Sequence, residues 1–489
     1  MEDYEREGTV FGRAMEKSQH HTGAGNSCQR SPGWTSFRSM QATSEVRVFR
    51  DGLAGFFFYA VGLVLSTGLL SAGTLPAPAA PPDVAPAAPD ATIHTSASTN
   101  YDADCSPGES TTNTPAELDE IYAPNDGYLD SYGGNRPLDW LKRPLNLLYE
   151  KTGLRLGFAN TMLFMQPLGG QSSRSGAAGD LDFMSSWTLI GRGTKDTGRF
   201  VFTGEYRFRM GNQPPSEIRG QMGAIVAPTG TFNDRGWVIR DAYWIQRLFD
   251  ARVRILIGRA DPSDYVGSHW LQNVNNSFVN RNFSANAAVA FPGHGPMLGV
   301  SIRPTDQFYL TVGAANAYSN TLDGEFESLF NEWDLFTFGE IGYTPTFQGL
   351  GQGRYAFGLW HIDARSIGNL PEDYGLTFIV DQNLTDRLQI FARYAYSEGT
   401  LTNIRQSGQV GLGFSGLLGR KDDLTGAAFA LTIPRSDASR NETVLEVFHR
   451  FQVTQNTQLS FGLQFIANPG NAPDNETAGA FYARLRTSF

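Results

Sequence analysis

Cysteine is nearly absent. Only Cys28 and Cys105 occur in 489 residues. Two residues cannot make a disulfide framework, and neither has neighbours that resemble a metal site. Charge is also sparse, at 18% of residues with a net of −10. An acidic chain without clustered Lys and Arg has nothing to set against phosphates, which excludes a nucleic-acid partner. Catalytic signatures are missing too. The seven His residues are scattered without ligand spacing, and there is neither a G-x-S-x-G elbow nor a phosphate-cradling G-x-x-x-x-G-K. Paired Asp or Glu could be imagined as a glycosidase couple, but nothing else supports hydrolysis. These gaps exclude most enzyme classes and leave no cofactor or metal to expect.

Long apolar runs are lacking with one exception, residues 53–70 (LAGFFFYAVGLVLSTGLL). Arg47 and Arg50 precede this run, and small residues and a Pro/Ala stretch follow it. Basic, apolar and small-residue zones in that order make a secretory signal; a transmembrane anchor is the rival reading. Cleavage falls after Ala72 or Ala79, and no Cys follows that could carry a lipid. Met40 offers an alternative start, with the upstream residues a gene-model extension. The expected division is therefore 1–79 for extension plus signal, 80–136 for a flexible Pro/Ala/Ser/Thr-rich segment, and 137–489 for the folded part.

What is abundant is glycine, 54 residues, and aromatic side chains at 12%. A short amphipathic helix is expected over 137–151 (PLDWLKRPLNLLYEK), with Leu138, Leu141, Leu145 and Leu148 at helical spacing. From Gly153 onward no second long helix pattern appears. Instead, about sixteen segments of roughly 9–13 residues alternate apolar with polar, the length of tilted membrane-spanning strands. Segments 199–210 (RFVFTGEYRFRM), 388–397, 443–453 and 458–467 are clear examples. The last strand sets Phe481, Ala483, Leu485, Thr487 and Phe489 against Tyr482, Arg484, Arg486 and Ser488. It ends the chain on an aromatic carboxylate, the usual closing signal for assembly of a bacterial outer-membrane barrel.

Connection lengths carry more than any single strand. Turns at 249–251, 304–306, 385–386, 419–423 and 454–456 are compact, whereas 262–295, 318–334, 365–373 and 468–475 are longer and more polar. Short turns on one rim and long loops on the other mark an antiparallel membrane barrel with an even strand number and both ends on the short-turn side. The fold class expected is thus all-β: a transmembrane antiparallel barrel of about sixteen strands behind a short periplasmic helix.

Placing arginine on the lipid face costs about 2–4 kcal/mol near the midplane. That cost turns the charged face of each strand inward: Glu205, Arg207, Arg209, Arg254, Glu340, Arg393, Glu446, Arg450, Arg484 and Arg486. Phe200, Phe202, Tyr206, Phe208, Tyr394, Tyr396, Leu445, Val447 and Phe451 then face lipid. The 262–295 connection, with His269, Trp270, Arg281 and several Asn, is too long for a simple loop. It either folds into the lumen or forms a surface lid.

The run 441–470 (NETVLEVFHRFQVTQNTQLSFGLQFIANPG) with the closing strand resembles the C-terminal signature of the carbohydrate-selective porins (OprB type). LYEKTGLRLGFANT, DAYWIQRLFDARVRILIGRAD and GEIGYTP at 339–345 add to the likeness, which spans roughly 137–489. Members commonly carry Pro-Asp before the Gln where this chain reads FGLQFIANPG, which leaves the substrate more open than the fold. The resemblance implies a sixteen-stranded barrel for passive, sugar-preferring diffusion across the bacterial outer membrane. Its constriction would be built of Arg, Glu and aromatic groups. Guanidinium and carboxylate groups can hydrogen-bond paired hydroxyls, and Trp244, Trp270 and Trp360 are the aromatic candidates for the sugar face. The expected partners are carbohydrates, outer-membrane lipid and the barrel assembly machinery, with monomer and homotrimer both open. A general or anion-preferring porin is the alternative, and an outer-membrane barrel enzyme a more distant one.

Overall fold

The computed structural model describes residues 112–130, 136–169, 174–324 and 326–489. The expected export signal, Cys28 and Cys105 lie outside the described residues. The strands are β1 Leu154–Leu168, β2 Gly176–Ile190, β3 Gly198–Arg209, β4 Gly236–Leu248, β5 Val253–Ala260, β6 Gly295–Ile302, β7 Phe308–Asn316 and β8 Leu335–Tyr343. There follow the two-residue β9 Thr346–Phe347, then β10 Gly351–Ile362, β11 Asp373–Asn383, β12 Leu388–Ser397 and β13 Ile404–Ser415. The series closes with β14 Leu424–Pro434, β15 Glu442–Thr454, β16 Thr457–Ala467 and β17 Thr477–Ser488.

β9 pairs only with the start of β10, and β8 pairs directly with β10. The other sixteen strands run antiparallel to their sequence neighbours, and β1 pairs with both β2 and β17. The sheet is therefore closed and has no edge, as a lipid-embedded sheet requires. Even parity puts the start of β1 and the end of β17 at one rim. Backbone bonds between Phe158 and Phe489 in both directions, 2.8 and 2.9 Å, seal that rim at the chain terminus. The compact turns read from the sequence lie at this end, and the long connections lie at the other.

The inward and outward assignments follow the expected alternation. Phe200, Leu445 and Val447 are exposed on the outer wall, whereas Glu205, Arg393, Glu446, Arg450, Arg484 and Arg486 are buried inside. In a soluble protein this distribution would be inverted; here lipid is the apolar solvent.

The helix α2 (Arg136–Thr152) leads into β1, one residue longer at each end than the expected segment. A second helix lies where the sequence reads as a flexible segment: α1, Thr114–Tyr122. Its start is built from local chemistry. The side chain of Asn113 accepts from the Ala116 N–H at 3.0 Å, proline occupies the first turn, and Glu117 complements the helix dipole. Only nine residues long, it gives little periodic signal, and isolated it would be marginal. Tertiary packing supplies the rest: Leu118 is buried with Ala159 and Met184 on the inner wall of β1 and β2. A Cβ on Gly157 would sit 2.6 Å from Leu118 Cδ2, so glycine there is what lets the helix approach the wall.

Candidate functional site

The lumen is filled mainly by connection 261–294, and its inward carboxylates and guanidiniums hold that segment in place. The carboxylate of Glu446 on β15 accepts from the N–H groups of Val279 and Asn280 at 2.7 and 2.8 Å and from Tyr482 Oη at 2.8 Å. Glu340 on β8 accepts from the Gly267 N–H at 3.2 Å and Tyr309 Oη at 2.7 Å. Asp381 on β11 takes the Trp270 N–H at 3.0 Å and pairs with Arg354 at 2.7 Å. The arginines do the converse. Arg393 donates to the carbonyls of Gly267 (2.9 Å), Asn282 (2.7 Å) and Ala285, Arg484 to that of Ser277 (2.9 Å), and Arg450 to that of Asn276 (3.2 Å). An irregular segment inside a barrel leaves its peptide groups without a ladder, and buried peptide groups must be satisfied. The wall charges satisfy them.

Apolar packing completes the plug. Phe278, Val279 and Phe283 of this segment are buried with Phe391, Phe448 and Tyr482 of the wall. His269 stacks on Phe391 at 3.8 Å, and its ring nitrogen meets the Phe283 carbonyl at 2.7 Å. Burial, with Arg393 nearby, holds the imidazole well below its usual pKa, so it is neutral. Connection 210–235 also turns inward: the N–H groups of Ile225 (2.7 Å) and Val226 (3.3 Å) reach Glu442.

The third occupant is α1. Thr114 Oγ1 donates to Asp241 at 2.6 Å, Glu117 pairs with Arg486 at 3.3 Å and Arg240 at 3.7 Å, and Glu120 lies 4.0 Å from Arg450. Asn276 of the inward connection donates to Glu120. A register shift between β3 and β4 leaves Arg240 unpaired in the ladder. The bulge turns Arg240 inward beside Asp241, where it meets Asp264 at 2.7 Å. Burial, opposed by Arg240, raises the Asp264 carboxyl to about 7.

The sequence candidates fall into distinct places. Glu205 and Arg207 meet directly on β3. Arg254 is inward and opposite Arg247. Arg209 has inward parity but sits at the long-loop rim, half exposed, with Asp234 at 3.5 Å. Trp270 and Trp360 are inside but fully covered, Trp360 against Phe336. Trp244 is a correction. It pairs in register with outward Phe200, and its neighbours Tyr243 and Ile245 are the buried ones, so it belongs to the outer wall. Phe489 stacks on Phe158 at 5.6 Å.

Sequence reasoning missed Asp180, Asp182, Arg240, Asp264, Arg354, Asp381 and Glu117. Alternation could have found Asp180, Asp182, Arg354 and Asp381. The bulge hid Arg240. Ligand atoms of Asp180, Asp182 and Glu205 lie within 4.8 Å of one another. They are the residues most able to hold a cation, although Arg207 and Arg486 flank them at 4.0 Å or less.

A closed sixteen-strand barrel with an apolar outer wall, an ion-paired interior and loops folded into the lumen defines a porin. A model described as "Carbohydrate-selective porin, OprB family" matches residues 188–489, and the chain belongs to that family. It is a family of channels, not of enzymes. The chain is similar to the protein named Porin AaxA of Chlamydia abortus, 23% identical over 315 residues, 62% of this chain and 68% of the relative. That of Chlamydia felis is 22% identical over 315 residues, 62% and 69% of the two chains. Among solved structures, Pseudomonas putida OprB at high pH shares the fold with a TM-score of 0.59 at 16% identity, over 75% of this chain and all of that one.

Proposed function

We propose that the chain lets neutral sugars diffuse passively across the bacterial outer membrane, with its short-turn rim toward the periplasm. The supporting observation is that interior charges come as adjacent pairs: Arg207 with Glu205, Arg240 with Asp264, Arg486 with Glu117. Pairing neutralises these charges, so they set up no strong field of one sign to draw ions, which favours a neutral solute. Outer-membrane lipid is the solvent of the outer wall, and the strand ending in Phe489 is the segment the assembly machinery would read.

Proteoliposomes swelling faster in glucose than in gluconate of similar size would support this reading; equal or inverted rates would remove the preference. One observation favours an anion-preferring pore instead. Arg235 and Arg281 form no ion pair among the described residues. Both guanidiniums are exposed, so their charge is open to a passing anion. Swelling faster in gluconate would select that alternative.

A further inference from the structure

The connection between β7 and β8, residues 317–334, leaves the barrel in the opposite direction from the segments that fill the lumen. Its first residue, Ala317, is buried at the rim, where Arg365 donates to its carbonyl at 3.0 Å, and beyond it Arg259 holds the chain on the outer wall. Arg259 lies on the outward face of β5, two positions from exposed Ile257 and opposite Ala242, whose ladder neighbour is outward Phe202. Its guanidinium donates to the carbonyls of Asn320 and Thr321 at 3.1 Å and Asp323 at 2.6 Å, while its Nε donates to the Ile239 carbonyl at 2.6 Å. The backbone of 320–323 is thereby drawn against the wall at the level of Ile239. Two residues away, Trp237 packs against Tyr206 in a tilted ring contact, centroids 4.9 Å apart, at the long-loop end of the lipid-facing surface.

From this anchor the chain forms a short helix, Phe326–Asn331, which packs on β6. Asn316 Nδ2 donates to Ser328 Oγ at 2.8 Å and ties the helix's polar side to the end of β7. Large apolar side chains of this connection are left uncovered: Leu322 at 61% exposure before the helix, Phe326 at 53% and Phe330 at 67% on it, and Trp333 at 64% after it. The polar residues Asp323, Glu327, Asn331 and Glu332 are exposed alongside them. Phe326 and Phe330 stand four apart and so share a helix face. Trp333 holds a left-handed backbone, φ 57°, unusual for a bulky residue, and its ring is left outside. Four large apolar side chains within twelve residues are not scattered surface exposure, and such a patch marks an interaction site. It continues the lipid-facing surface of Ile239, Ile257 and Leu298 on the strands beside it.

We propose that 317–334 is a membrane-docking element: Leu322, Phe326, Phe330 and Trp333 insert among the lipids of the leaflet at the long-loop rim. The Arg259 clamp keeps the segment out of the channel mouth. Aromatic side chains belong at that depth because an apolar body meets acyl chains while the backbone stays near the headgroups.

The test places a nitroxide label at Phe330→Cys in the full chain, with Cys28 and Cys105 changed to Ser, in phospholipid vesicles. Labels at Ile257→Cys and Asp437→Cys serve as lipid and water references, and Trp333→Cys repeats the measurement should Phe330→Cys fail to fold. The expected result is collision with oxygen exceeding collision with a water-soluble nickel chelate, as at 257. A nickel-dominated ratio like that at 437 would overturn the proposal. So would spin–spin broadening that disappears on dilution with unlabelled protein, which would make the patch a contact between two copies. Glucose swelling of the same vesicles reads the sugar preference separately, so failure of one reading leaves the other intact.

Discussion

Glu446 shows how one side chain organises the lumen. Removing its carboxylate orphans the N–H groups of Val279 and Asn280 together with Tyr482 Oη. Leaving a buried donor without a partner costs about 1–3 kcal/mol. Glu446→Ala should therefore release the 261–294 segment, seen as new protease cleavage within it and noisier single-channel current, while the barrel still migrates as folded. Glu446→Gln, which keeps one acceptor, should show a weaker form of both. Asp264 makes a pH prediction. Its folded pKa of about 7 exceeds the ordinary aspartate value, so the folded state holds the proton more tightly. The stabilising contribution is complete below about pH 4 and is lost as pH rises towards 7. Asp264→Asn should flatten that slope in urea-unfolding midpoints; an unchanged slope would assign it to other groups. Trp244 tests the corrected wall assignment. Trp244→Arg should lower barrel stability by up to about 2–4 kcal/mol in bilayers, whereas a lumenal residue would tolerate the change.

At the scale of elements, α1 and the 261–294 segment brace each other through Glu120 and Asn276 and share the wall arginines. Replacing Thr114, Glu117 and Glu120 together by Ala should free the helix from the wall and raise single-channel conductance, with unchanged heat-modifiable migration. Unaltered conductance would mean that the helix does not narrow the path. The two elements differ in how readable they were. The 261–294 segment announced itself by length and by a polar-aromatic mixture, although composition left a lid and an inward plug equally open. Helix α1 gave almost nothing, because its nine residues sit in a stretch whose composition is that of a linker, and its stability comes from Gly157, Arg486 and Arg240 far away in sequence.

For the whole molecule, alternation and loop parity carried strand number, closure and the side of the wall each charge faces. They could do so because lipid imposes a period-two pattern and a large cost on misplaced charge. The exceptions have physical causes. Arg240 escapes the pattern because a bulge adds a residue to one strand. Arg259 faces outward yet is tolerated, since at the end of β5 it is covered by the carbonyls of 320–323. Arg393, Glu446 and Arg484 were rightly placed inside, yet they are occupied by backbone and do not stand free for a solute. Alternation reports a side chain's direction and says nothing of what it meets there.

The sequence by itself determined a barrel whose first and last strands meet with their outer ends at one rim, and an apolar outer wall. Those properties follow from local periodicity and from the solvent outside. Only the tertiary structure decided how the interior is used. Which carboxylate holds which N–H, how a helix from a linker-like stretch fills the lumen, and which connection turns outward all depend on contacts between residues tens to hundreds of positions apart. No local pattern encodes them, because each partner is satisfied only when the closed wall brings the other within reach.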